Sequence, residues 1–211
     1  MREVPEDDAP ARDEHWEAVY RERGPRQVSW FQADPLLSVE LVEAAAEGDT
    51  SAPVIDVGGG ASLLAAHLTG RGFTDVTVLD LSKEALEISY HQDVTRTVSF
   101  IHGDLLTWNP ERRYRIWHDR AVFHFLTRPG DRAAYRAVLR RALEPGGRII
   151  LAAFAPDGPT HCSGLPVARY SAEELAAELG DAFIVTGTRT ERHHTPAGAV
   201  QPFTWITARL R

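Results

Sequence analysis

Three aspartates close three short apolar runs: Asp56 in VIDVGGGAS, Asp80 in DVTVLD and Asp104 in FIHGDLL. Asp56 stands at the mouth of Gly58, Gly59 and Gly60, where bare backbone and the positive end of a following helix bring a ligand close. A carboxylate there repels a pyrophosphate and attracts an ammonium or a sulfonium. Asp80 follows Gly60 by twenty residues, the place where an acidic side chain accepts hydrogen bonds from two ribose hydroxyls. Asp104 ends the next run and could accept the exocyclic amino group of an adenine.

Other nucleotide signatures fail on particular residues. From Gly58 the chain reads GGGASL, so the third glycine of a dinucleotide fingerprint is absent, and no Gly-Lys-Ser/Thr follows to cradle a triphosphate. Cation, ribose and adenine together describe S-adenosylmethionine.

Methyl transfer from a sulfonium relies on alignment and desolvation, and a base is needed only for some nucleophiles. Asp119, His118 and His124 in IWHDRAVFHFLT are the catalytic candidates, with His91 further off. Asp119 and Arg120 fall at the carboxyl end of the fourth strand, where open α/β sheets bind ligands. The segment WEAVYRERGPRQVSWFQ puts Tyr20, Trp30 and Phe31 where a lid could close, and its Arg21, Arg23 and Arg26 could meet a carboxylate. The long loop APDGPTHCSGLPVARYS offers Cys162, Arg169 and Tyr170 to a substrate cleft. His161, Cys162, His193 and His194 show no repeated ligand spacing, so no metal is expected.

The elements that must position these residues alternate. Strands are expected at Val54–Val57, Asp75–Leu79, Val98–Ile101, Ile116–His118 and Arg148–Phe154, with helices at Ser62–Thr69, Lys83–Gln92 and Arg132–Leu143 between them. That is a doubly wound α/β fold. Ahead of the first strand, Asp34-Pro35 reads as an N-cap and first-turn proline for the helix that follows, LLSVELVEAAAEG, and Ser171 with Glu174 as a capping box. FIVTGTRTER and PFTWITARL should pair antiparallel. Arg132, Arg136 and Arg140 occupy the solvated face of an amphipathic helix rather than an anion ridge.

The 211 residues suit one domain, with residues 1–14 a flexible arm, 15–52 a helical lid and 53–211 the Rossmann-like core. A net charge of −7 without a basic stripe disfavours nucleic acid. No apolar run approaches a membrane span, and the acidic start resembles no export or transit signal. With a single cysteine, these features point to a cytoplasmic monomer or homodimer.

The runs VIDVGGGAS, VLDLS, IHGDLLTW and LEPGGRIIL, in this order and spacing, resemble the ordered motifs of class I S-adenosylmethionine-dependent methyltransferases. The resemblance extends from about Val54 to the C-terminus and implies a seven-stranded sheet of order 3-2-1-4-5-7-6 with the last strand antiparallel. The expected cofactor set is Asp56, Gly58, Gly59, Gly60, Ser62, Asp80, Leu81, Gly103, Asp104, Leu105 and Asp119. Ser62 replaces the last glycine of the family pattern and is expected to cap the helix. The Asp-Arg-Ala run at Asp119–Ala121 looks like that of thiopurine-type small-molecule enzymes. Small protein-lysine methyltransferases usually carry Asp-Lys-Gly there. The expected activity is transfer to a sulfur, nitrogen or oxygen of a small molecule. A protein lysine, or cofactor binding without catalysis, stands as the alternative.

Overall fold

Val54, Ile55 and Val57 are wholly enclosed, which is what a four-residue apolar run becomes when helices cover both faces of its sheet. This strand, β1 (Val54–Val57), lies at the sheet centre, parallel to β2 (Val76–Asp80) on one side and β4 (Tyr114–Arg120) on the other. β3 (Ser99–His102) extends the first side and β5 (Leu143–Phe154) the second. β9 (Val200–Leu210) then runs antiparallel between β5 and β8 (Phe183–His194). The order β3-β2-β1-β4-β5-β9-β8 is the expected seven-stranded arrangement. A two-residue pair, β6 (His161–Cys162) and β7 (Leu165–Pro166), ties the loop after β5 into a small hairpin.

The computed structural model describes residues 12–211. Residues 1–11 of the expected arm lie outside the described residues, and Arg12 to Glu14 already form the first turn of α1 (Arg12–Arg23). Next come α2 (Leu36–Ala46), α3 (Leu64–Thr69), α4 (Lys83–Gln92), α5 (Pro129–Ala142) and α6 (Ala172–Leu179). One face of the sheet packs on α2 and α3 through Val39, Val42, Leu64 and Leu68 against Val54, Ile116, Ile150 and Trp205. The other packs on α5 and α6 through Tyr135, Leu139, Leu175 and Leu179 against Ile55, Trp117, Ile149 and Ile206.

Capping was legible in part. Ser171 Oγ accepts from Glu174 N at 3.2 Å while Glu174 Oε2 accepts from Ser171 N at 2.7 Å, closing the box. Asp34, by contrast, caps nothing: the capping position is Pro35, with no side-chain bond, and α2 starts at Leu36. The arginines of α5 are also not simply solvated. Arg132 and Arg136 both pair with Glu178 of α6, at 2.8 and 2.9 Å.

Candidate active site

The carboxyl ends of β1, β2 and β4 open into one cleft beneath α1. Gly58 follows β1 with φ +64°, and a Cβ there would collide with Val122 Cγ2; on Gly59 it would collide with Asp56 Oδ2. Backbone therefore forms this wall because side chains have no room. Asp80 ends β2 and is anchored by Ser82 N, which donates to Oδ1 at 2.8 Å. Burial pushes its carboxyl up to about 7, against backbone donors that pull the other way. Asp104 accepts Leu106 N on Oδ1 at 2.8 Å, and its second oxygen has no partner among the described residues. Leu81, Gly103 and Leu105 complete this end.

The other end is aromatic. Trp16 and Tyr20, four residues apart, lie on the same face of α1 and meet Trp30 edge-on, with centroids at 5.7 and 6.2 Å. Trp16 also meets Phe125 at 5.0 Å, while Arg120 and Cys162 line the wall beside them. Burial raises the Cys162 thiol to about 11, so it is not a thiolate nucleophile near neutrality. α1 is fastened over the cleft by Glu17, whose two carboxylate oxygens accept Lys83 N at 2.6 Å and Glu84 N at 3.2 Å in the first turn of α4. At its start Arg12 pairs with Asp131 at 2.6 Å.

The structure does not bring the three catalytic candidates to this cleft. Alternation along β4 turns His118 toward α2 and Asp119 toward α5. His118 Nδ1 is 2.7 Å from Asp56 Oδ1 and its Nε2 is 3.0 Å from Ser38 Oγ, so both ring nitrogens are occupied in a buried chain. Asp119 is fully enclosed, accepting Val122 N at 3.0 Å and the Tyr135 hydroxyl at 2.8 Å. Burial lifts its carboxyl to about 6, and its bonds go to the protein interior. His124 is enclosed by Phe125 and Phe154, and that burial lowers its ring to about 3. His91 is exposed.

Several expected binding residues are likewise placed elsewhere. Asp56 lies under Gly59, held by His118, and lines a smaller hollow with Phe31 and Ser62. Ser62 Oγ accepts Leu64 N at 3.1 Å beside the start of α3, but the capping position there is Leu63, which makes no side-chain bond, so Ser62 stands one residue before the cap expected of it. Arg169 donates to Pro156 O at 2.9 Å and so braces its own loop, and Tyr170 packs on Phe123. Arg21, Arg23 and Arg26 are exposed. His193 Nε2 donates to Ser29 O at 2.7 Å, and no group of three metal-ligating side chains is formed among the described residues. Trp16 and Phe125 escaped selection, although Trp16's spacing from Tyr20 marked a shared face.

A methyltransferase-domain family model matches residues 54–147, the stretch holding the glycine turn, Asp80, Asp104 and β4. Residues 54–147 thus match a methyltransferase domain, and the seven-stranded sheet around them has the strand order expected from the class I resemblance. Among solved structures, a methyltransferase from Anabaena variabilis is similar over 96% of each chain, with a TM-score of 0.73 and 17% identity. The N1-methyltransferase of 1,6-didemethyltoxoflavin from Burkholderia thailandensis, solved with that compound and S-adenosylhomocysteine, is similar over 99% of this chain and 98% of its own, with a TM-score of 0.70 and 20% identity. A structure from work on converting a disulfide bond into a thioacetal during echinomycin biosynthesis covers 94% of this chain and 92% of its own, with a TM-score of 0.72 and 24% identity. No curated protein matches the sequence. The methyltransferase domain thus extends into a complete seven-stranded sheet, and the likenesses run well beyond the matched segment. No helix among the described residues is long and apolar enough to cross a membrane.

Proposed function

We propose that this methyltransferase transfers a methyl group to a sulfur, nitrogen or oxygen of a small-molecule acceptor held under α1. The observation that carries the proposal is the roofed cleft running from Asp80 and Asp104 to Arg120 and Cys162 beneath Trp16 and Tyr20. A protein lysine calls for an open, shallow groove, so the roof favours a small acceptor. The compound named for the Burkholderia enzyme is of this size class, which supports the same reading.

The residues present fit the cofactor: a wall too tight for any Cβ at Gly58 and Gly59, and two carboxylates on adjacent strand ends facing one cleft. Bound S-adenosylmethionine supplies an electrophilic methyl on a sulfonium. Asp80 would accept the ribose hydroxyls, Asp104 the adenine amino group, and Leu81 and Leu105 would cover the adenine faces. Asp56 and His118 act as positioning residues, since their bond beneath Gly59 fixes the turn that receives the ligand. Trp16, Trp30 and Phe125 exclude water from the acceptor end, which strengthens every charge interaction there. We place the protein in the cytoplasm, as a monomer or homodimer.

Titration calorimetry with S-adenosylhomocysteine should show saturable one-site binding, and labelled cofactor should mark members of a thiol, amine and phenol panel. Absence of homocysteine-nucleoside binding refutes the cofactor assignment. Binding without turnover on any acceptor class would indicate a non-catalytic module instead.

A further inference from the structure

We propose that Arg120 selects acceptors that enter the cleft as the anion of a planar aromatic or heteroaromatic ring. The inference rests on the methyl-transfer reading and concerns only the acceptor end. Arg120 is a buried cation whose side chain is 8% exposed. Its Nη1 donates to Trp30 O at 3.1 Å and its guanidinium lies 4.5 Å over the Phe203 ring. Nε and Nη2 have no hydrogen-bond partner among the described residues. Glu191 comes near, at 3.6 Å from Nε, but that is beyond hydrogen-bond reach, and its oxygens already accept Gln32 Nε2 at 2.7 Å and Trp205 Nε1 at 3.0 Å. A buried guanidinium with donors to spare is costly unless a ligand completes it.

The surroundings define what that ligand is. Trp16, Trp30 and Phe125 meet edge-to-face and line this end of the cleft with aromatic surface, which suits a ring. This end holds no group placed to take a proton. Arg12 is paired with Asp131, Asp80 and Asp104 stand at the cofactor end, and the Tyr20 hydroxyl and Cys162 thiol are both raised by burial. Behind the wall, His124 is enclosed by aromatic rings and His193 is bonded to Ser29 O. In the adjoining smaller hollow that Arg120 also borders, Asp56 and His118 are bonded to each other and His118 Nε2 to Ser38 Oγ. A protonated amine entering this end would meet the Arg120 charge, which Glu191 at 3.6 Å opposes only in part, whereas an anion would be stabilised by it.

The transfer then balances without a base. The acceptor has already released its proton to water, and its own electron pair forms the new bond to carbon. The carbon–sulfur pair remains on sulfur, and the negative and positive charges cancel. A thiophenol, a phenol or an acidic ring N–H belongs to this class, and an alkyl amine does not.

Titrating 4-nitrothiophenol and 4-nitrophenol by absorbance in the protein saturated with S-adenosylhomocysteine tests this without turnover. The apparent pKa of the bound probe should fall by about one unit or more relative to free probe, and benzylamine should bind more weakly than either. Arg120→Gln should abolish the shift. Glu191→Gln, which removes the opposing carboxylate, should deepen it and keeps the test decisive if the arginine variant fails to fold. An unshifted probe, a shift that survives Arg120→Gln, a shift unchanged in a folded Glu191→Gln protein, or tighter benzylamine binding overturns the proposal. Failure of S-adenosylhomocysteine to bind would instead strike the methyl-transfer reading on which it rests.

Discussion

Asp80 should make cofactor affinity depend on pH in a direction opposite to its effect on folding. Burial raises its carboxyl to about 7 in the free protein, so near neutrality about half the molecules carry it protonated. Ribose hydroxyls donate best to the ionised form, so binding pulls the carboxyl down and affinity should rise with pH. With a free value near 7 and a bound value well below 6, the ionised fraction is about 0.9 at pH 8 and about 0.1 at pH 6. The expected loss on going from pH 8 to pH 6 is therefore about tenfold, or about 1.4 kcal/mol. Folding runs the other way. A value raised from 3.8 contributes stability that is complete below 3.8 and is lost as pH climbs through about 7. Asp80→Asn removes both effects, making binding insensitive to pH and the ligand-free protein relatively more stable at pH 8. At pH 8 it should weaken S-adenosylhomocysteine by about 1.5–3 kcal/mol through loss of the charged acceptor. Titration calorimetry at pH 6, 7 and 8 with both proteins is the assay. A flat wild-type profile, or equal affinity of the two proteins at pH 8, would refute the placement of Asp80 against the ribose.

Three further outcomes follow from the same geometry. Gly59→Ala should abolish S-adenosylhomocysteine binding, because its Cβ would press on Asp56 Oδ2; calorimetry on a variant shown to be folded by circular dichroism checks this. Glu17→Ala removes the carboxylate that caps α4 and should cost about 0.5–2 kcal/mol, with faster amide exchange across α1 and faster release of S-adenosylhomocysteine; unchanged exchange would show that the fastening is not there. His118→Leu should behave as a stability mutant, losing about 1–3 kcal/mol as Asp56 and Ser38 are left unpaired, with Tm lowered by roughly 2–4 °C for each kcal/mol. Its kcat at saturating substrates should stay within a few-fold, and a fall on the order of 10²-fold or more would restore a proton-transfer role.

The sheet order and the meeting of Gly58, Asp80 and Asp104 at one cleft were legible because they depend on backbone. An apolar run ending in glycines reads as a buried strand meeting a tight turn, and spacing carries Asp80 and Asp104 to neighbouring strand ends. Asp34 shows the limit of local chemistry: Pro35 takes the capping position and leaves the aspartate side chain without a bond to α2. The same limit applies to Glu17 and Glu191. Glu17 reaches an amide 66 positions away and Glu191 a side chain 159 positions away, contacts for which no short segment carries a signal.

The acceptor end was misplaced for a reason that lies in β4. Proximity along the chain put His118, Asp119 and Arg120 together at a strand terminus, yet successive residues of a strand face opposite sides of the sheet. Of these three residues only Arg120 lines the main cleft, while His118 is bonded to Ser38 of α2 and borders the smaller adjoining hollow, and Asp119 is drawn into the helical layer by Tyr135 of α5. Those layers had to satisfy two polar groups in otherwise apolar packing, and each did so with a hydroxyl on the helix it faces. A cleft thereby stripped of its nearest carboxylate and imidazole has a cation where a base was expected. On the proposed role of Arg120, such a site favours nucleophiles that arrive already deprotonated.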